Sequence, residues 1–132
     1  MRQRLKSLQR LSAVQKDMHR LAEWRFAALE RQLDTLQKER DRLVSYLDDD
    51  RLFTLAYTTT IVERLRVLEE TKQQVIQARD EQRLILLQNS RRMGQIAHAA
   101  AAVADQCRRS EERRELDAAI EAALNRQRAS FR

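Results

Sequence analysis

The chain has 132 residues, of which 35% are charged and 42% hydrophobic, with no proline and a single glycine, Gly94. A compact fold of this length needs several turns, and turns draw on glycine and proline, so this composition excludes most β and α/β architectures. The net charge of +6 is compatible with binding to acidic partners. Leucine, arginine, glutamine, glutamate and alanine dominate instead, as is typical of long helices and coiled coils in a single domain.

Helix one is predicted over about residues 2–47, because apolar residues recur there at steps of three and four. From Phe26 to Leu47 this spacing describes a coiled-coil seam, formed by Phe26, Leu29, Leu33, Leu36, Leu43 and Leu47. Upstream, Leu11, Val14, Met18 and Leu21 keep the same alternation in a different phase. Joining the two phases predicts a stutter near Trp24, where a supercoil locally unwinds.

Three consecutive aspartates, Asp48–Asp50, interrupt the pattern and predict where the chain turns. Aspartate is unfavourable inside a helix and favourable at its N-cap, beside free N–H groups. A second start signal, Thr60-Ile61-Val62-Glu63, matches the Ser/Thr-x-x-Glu capping box. The turn is therefore expected within about 48–60, with residues 51–59 forming either the first turns of helix two or a short connecting piece.

Helix two is predicted over about residues 61–127, because apolar residues there keep a strict four-three register. Ten of fourteen register positions are apolar, and the full set is Ile61, Leu65, Leu68, Lys72, Val75, Arg79, Gln82, Leu86, Asn89, Met93, Ile96, Ala100, Val103 and Cys107. An unpaired charge is costly to bury. We therefore expect the seam around Lys72, Arg79 and Gln82 to be loose, hydrated or satisfied by polar partners.

Together these elements predict an all-α fold, in which two long helices form an antiparallel coiled-coil hairpin with the second helix longer. At 1.5 Å per residue the helices would measure about 68 Å and about 105 Å. A reversal at Asp48–Asp50 would place residue 1 opposite about residue 97 and leave residues from about 100 to 132 unpaired. An isolated helix is marginal in water. We therefore expect this overhang to stay exposed and to bind a partner through Val103, Leu116, Ile120 and Leu124.

The alanine-rich segment 97–104 has two interpretations. Small side chains let a neighbouring helix approach closely, which suits docking into another protein. The segment is equally consistent with a thin part of the seam that faces Leu5 and Leu8.

No catalytic, metal or cofactor constellation is recognisable, so we expect neither enzyme activity nor a cofactor. His19 and His98 fall on different predicted helices without partners at ligand spacing, which favours surface positions for both. Cys107 occupies a seam position, which is typical of a small buried apolar residue. Nucleic-acid binding is disfavoured because the arginines stand among acids at helical spacing. A lone cysteine and the absence of an apolar run near 18 residues predict a reducing, cytoplasmic setting without a membrane span.

The organisation of the chain resembles the FliJ/YscO family, the small coiled-coil stalk proteins of flagellar and injectisome type III export. The likeness covers nearly the whole chain. Its elements are Leu5-Lys6-Ser7-Leu8, Gln32-Leu33-Asp34-Thr35-Leu36, the acidic reversal and a basic, glutamine-rich second helix. The high arginine content and the alanine-rich segment depart from the family pattern.

The resemblance implies a non-catalytic stalk in the central pore of the hexameric export ATPase. Such a stalk would also contact the export gate and escort export chaperones, with no small-molecule substrate and with peripheral association at the inner membrane. By family analogy, the gate-contacting surface would include Gln32, Leu36 and Leu65. The alternative is a scaffold homodimer, in which two hairpins bury their overhangs together. A binder of nucleic acid or anionic membrane through the cationic N-terminus comes third.

Overall fold

The computed structural model describes residues 2–48 and 55–131. Helix α1 runs from Arg2–Asp48 and helix α2 from Leu55–Ser130, and no strand occurs within these described ranges. The two helices pack against each other in opposite directions. Glu39 of α1 contacts Arg64, whereas Ala22, further back on α1, contacts Gln82, further forward on α2. The predicted all-α antiparallel hairpin with a longer second helix is therefore confirmed.

The helix boundaries lie close to the predicted ones at α1 and earlier than predicted at α2. Helix α1 ends at Asp48, one residue beyond the expected end, and Asp49 and Asp50 lie outside the described residues. Helix α2 begins at Leu55, so Thr60 is already inside the helix rather than at its N-cap. The candidate capping box at Thr60–Glu63 therefore does not mark the start of α2.

The contacts between the helices group the chain into two compact units. Unit 1 comprises Met1–Lys16 and Arg91–Arg132, and unit 2 comprises Asp17–Ser90. In unit 2 the buried apolar side chains are Ala22, Ile61, Leu68 and Val75. In unit 1 the buried apolar side chain is Val103, and Gln15 is buried with it.

The predicted seam of α2 is confirmed at every position. All fourteen register residues from Ile61 to Cys107 are buried or half-buried, and almost all residues between them are exposed. This agreement follows from geometry: an α-helix has 3.6 residues per turn, so steps of four and three keep returning to the same face.

The seam of α1 runs in one phase, and the predicted stutter is wrong. The buried or half-buried residues on the four-three repeat continue through three polar residues and comprise Leu5, Leu8, Ser12, Gln15, His19, Ala22, Phe26, Leu29, Leu33, Leu36, Leu43 and Leu47. Arg40, at the remaining repeat position, is exposed, and Ala28, Gln37 and Glu39 beside the repeat are half-buried. The four apolar residues assigned to a second phase, Leu11, Val14, Met18 and Leu21, are about half exposed. Because α2 keeps a strict heptad register, α1 follows the same repeat even where polar side chains occupy it.

The two segments of unit 1 overlap further than predicted. The Arg2 guanidinium contacts the Glu111 carboxylate at 2.9 Å, and Ser110 is the last half-buried residue of α2. The exposed end of α2, here called the overhang, is therefore residues 111–130, with Glu111 still in contact with Arg2, and it does not begin near residue 100. Val103, which was expected to be exposed, is only 6% exposed and belongs to the seam. The difference arises because α1 and α2 pair with a larger offset than a reversal at Asp48–Asp50 would give, as the Ala22–Gln82 and Arg2–Glu111 contacts show.

The single phase of α1 can be tested with two neighbouring residues. Ala22 is 3% exposed, whereas Leu21 is 47% exposed. We expect Ala22→Asp to lower the free energy of unfolding by about 3 kcal/mol, because it places an unpaired charge in the seam. Leu21→Asp should change it by less than about 1 kcal/mol, since exposed substitutions rarely cost more. Urea unfolding followed by circular dichroism gives both values, and equal losses would contradict the single-phase seam.

Candidate protein-binding surface

The described residues contain no group of three or more metal-ligating side chains. His98 is exposed as expected, but the prediction of a surface position for His19 is wrong. His19 lies half-buried in the α1 seam, with Nε2 2.7 Å from Glu23 Oε1 and a buried Nδ1 that has no hydrogen-bond partner. The single phase of α1 brings this histidine inward, because it stands at a seam position between Gln15 and Ala22.

Cys107 is half-buried, consistent with its predicted seam position. It lines a groove together with Arg2, Ser110, Glu111 and Arg114. Among the described residues no histidine lines this groove, and the Glu111 carboxylate already pairs with Arg2. The groove therefore lacks a base that would activate the thiol as a nucleophile.

Two of the three polar residues of the α2 seam, Arg79 and Gln82, have polar partners, which is one of the three alternatives that the sequence left open. The buried Gln82 donates an amide hydrogen to the Ala22 carbonyl oxygen at 3.3 Å. Arg79 contacts Glu30 across the helices at 3.8 Å and Asp80 along its own helix at 3.4 Å. Lys72 is half-buried. These contacts reduce the cost of placing polar groups between the helices.

Five arginines of the described residues form ion pairs within their own helix. Examples are Arg66 with Glu63 at 2.9 Å and Arg109 with Asp105 at 3.3 Å, which are three and four residues apart. Guanidinium groups that are engaged in this way are poorly arranged to follow a phosphate backbone. This pattern matches the sequence expectation that these arginines form intrahelical pairs.

The overhang, residues 111–130, is an amphipathic helix that the rest of unit 1 does not cover. Leu116 is 61% exposed, Ile120 is 49% exposed and Leu124 is 47% exposed, and steps of four place them along one side of the helix. Three of the four residues predicted for this stripe are therefore exposed, and Val103 is the exception. Charged side chains cover much of the remaining surface.

The residues assigned by family analogy occupy different environments. Leu36 and Leu65 are half-buried in the seam of unit 2, whereas Gln32 is exposed. Counting along both helices from the Ala22–Gln82 contact, Leu36 lies level with Leu68, and Leu65 lies one turn away. Of these three side chains, only Gln32 is largely free to meet a partner without rearrangement of the seam.

The alanine-rich segment 97–104 contributes to the seam and to the surface. Ala100 is half-buried and Val103 is buried at seam positions, while the other six residues are exposed. One side of the segment therefore forms part of the hairpin, in line with the seam interpretation. The other sides present small side chains to solvent.

Sequence reasoning missed the exposed apolar stripe of α1. Leu11 and Val14 are 49% and 55% exposed in unit 1, and Trp24 is 64% exposed in unit 2. The polar residues in the predicted α2 seam could have indicated the phase of α1. A seam that includes Gln82 and Asn89 can also include polar residues at the facing positions of α1. Polar residues at Ser12, Gln15 and His19 could then have been read as seam positions.

Comparison with protein-family models finds no match, and neither do comparisons with curated proteins or with solved structures. Within the described parts of α1 and α2, neither helix has a segment long and apolar enough to cross a membrane. The exposed surfaces of the hairpin are therefore the features from which a function can be inferred.

The buried amide of Gln82 provides a test of the polar seam. Replacing a buried polar seam residue with an apolar one of similar size usually stabilises a coiled coil while weakening the choice of register. We expect Gln82→Leu to raise the free energy of unfolding by about 1 kcal/mol, measured by urea unfolding. Gln82→Ala is the matched control and should be destabilising, because it leaves a void. A loss of stability in Gln82→Leu would show that the hydrogen bond to Ala22 is a net stabilising contact.

Proposed function

We propose that this protein is a non-catalytic coiled-coil stalk and adaptor of a bacterial type III, flagellar-type protein export apparatus, which couples the export ATPase to the export gate. The single observation that carries the proposal is the overhang, a continuation of α2 with an exposed apolar stripe. The sequence resemblance to FliJ/YscO stalks supplies the identity of the apparatus. A cytoplasmic location with peripheral association at the inner membrane belongs to the same proposal.

The overhang has the properties of a helix that docks into another protein. Helix-in-groove recognition uses apolar anchors spaced by three or four residues, and Leu116, Ile120 and Leu124 have that spacing. An isolated helix is marginal in water. A partner that covers the stripe would therefore stabilise the helix and would bind it through the apolar area that the contact buries. In the stalk hypothesis this partner is the central pore of the hexameric ATPase.

A scaffold homodimer is the second candidate, and it is favoured by the uneven charge of unit 1. Residues 2–16 carry Arg2, Arg4, Lys6, Arg10 and Lys16 without an acid. Residues 111–121 carry five acids against two arginines, a net charge of −3. Opposite charges on two exposed surfaces of one chain favour association between copies.

The stalk hypothesis predicts that the overhang is required for ATPase binding. We expect Ile120→Asp with Leu124→Asp to abolish capture of the purified export ATPase in a pull-down, because two anchors of the stripe become charged. The helical content and melting of the dilute chain should stay within error, since neither side chain lies in the seam.

The matched control is Leu84→Asp with Leu87→Asp on the same helix. These leucines are 61% and 49% exposed, so the change in charge and the loss of exposed apolar area are similar. The control variant should retain ATPase binding. Unchanged binding by the Ile120/Leu124 variant, or equal loss in both variants, would contradict a specific role of the overhang.

A further inference from the structure

We propose that two copies of this chain associate by reciprocal docking, in which the overhang of each copy packs along the exposed apolar stripe at the start of α1 in the other copy. The overhang is residues 111–130, and the stripe is centred on Leu11 and Val14. Both surfaces belong to unit 1. The inference goes beyond the export function and does not require an ATPase.

The charges of the two surfaces are complementary and unused. In the described parts of the chain, Arg4, Lys6, Arg10 and Lys16 form no ion pair, and neither do Glu115, Asp117 and Glu121. Arg2 already pairs with Glu111 and Glu112 with Arg108, so four cations of residues 2–16 and three carboxylates of residues 111–121 remain for docking, the latter beside Arg113 and Arg114. Docking one surface on the other would bring these unpaired cations and carboxylates together.

The residue spacing along one side of each surface also matches, and it includes the apolar Leu11 and Val14 on α1 and Leu116, Ile120 and Ala123 on the overhang. Residues 4, 7, 11 and 14 of α1 are separated by steps of three, four and three, and so are residues 113, 116, 120 and 123 of the overhang. Aligned in parallel, these positions set Leu11 beside Ile120, Ser7 beside Leu116 and Val14 beside Ala123. The same alignment sets Lys6 beside Glu115. It also brings Arg4 level with Arg113, at the end of the contact where solvent screens the repulsion.

The overhang cannot reach the stripe of its own chain. Arg2 contacts Glu111 within unit 1, so the residues after Glu111 lie beyond the start of α1. Helix α2 then continues without interruption to Ser130, which prevents a return toward Leu11. A second copy supplies the stripe instead. In a two-fold symmetric pair each chain contributes one overhang and one stripe, so both exposed surfaces are covered.

Sedimentation equilibrium of the full chain across a series of concentrations tests this arrangement. We expect a dimer that weakens at high salt, because the contact joins opposite charges. Leu11→Asp with Val14→Asp should raise the dimer dissociation constant by about tenfold or more. Ile120→Asp with Leu124→Asp should have the same effect. Leu84→Asp with Leu87→Asp is the equally exposed control and should dimerise like the wild type.

Mixing the two dimerisation-defective variants tests directly whether each overhang docks on the stripe of the other copy. The Leu11/Val14 variant keeps an intact overhang and the Ile120/Leu124 variant keeps an intact stripe, so together they can form one of the two contacts. We expect a heterodimer in the mixture that neither variant forms alone at the same concentration. Circular dichroism checks that both variants remain helical.

Three outcomes would overturn the proposal: a wild-type chain that stays monomeric at the highest concentration, a Leu11/Val14 variant that dimerises normally, or a mixture that stays monomeric. Dimerisation that is lost only in the Ile120/Leu124 variant would indicate pairing of two overhangs instead. The Leu11/Val14 variant should still bind the export ATPase through its intact overhang. Self-association and the proposed export function can therefore fail separately.

Discussion

The strict four-three seam of α2 is the constraint on which the rest of the structure depends. An α-helix that keeps this repeat presents only about two of every seven residues to its partner. From Ile61 to Cys107 the repeat does not change phase, so α1 has to follow it. Apolar residues outside the repeat on either helix are therefore left on the surface, whatever their number. The exposed stripe of α1 is a consequence of this rule, whereas the stripe of the overhang is exposed because α1 does not extend alongside residues 111–130.

Keeping one continuous register places polar residues in the seam, where they pack less favourably than apolar ones. Gln15, Gln82 and Asn89 are buried between the helices, and His19 is half-buried with an unpaired ring nitrogen. Apolar side chains at these positions would pack more favourably but would allow alternative alignments. Meanwhile Leu11 and Val14, which would fill the seam well, lie outside it. The polar seam residues therefore lower the stability of the hairpin. The apolar residues that lie outside the seam remain exposed and are available for association.

The sequence was sufficient to predict the fold and the α2 register, because ten apolar residues in a strict repeat leave one helical face as the only solution. It was misleading at α1, where a local apolar stripe from Leu11 to Leu21 outweighed the polar residues that occupy the true seam. The phase of α1 depends on α2, and this long-range dependence is invisible in a local window. Leu116, Ile120 and Leu124 were correctly expected to be exposed. Val103 was not, because its exposure depended on where the chain reverses.

Hydrogen exchange as a function of chain concentration tests whether the seam alone protects α2 up to Ser110 and whether the overhang requires a partner. In dilute solution we expect protected amides at 61–103 and rapid exchange at 111–130, since an isolated helix opens readily. As the concentration rises, protection of 111–130 should increase together with that of the first turns of α1, while 61–75 remains unchanged. Strong protection of 111–130 in the dilute monomer, or rapid exchange there at every concentration, would contradict the account.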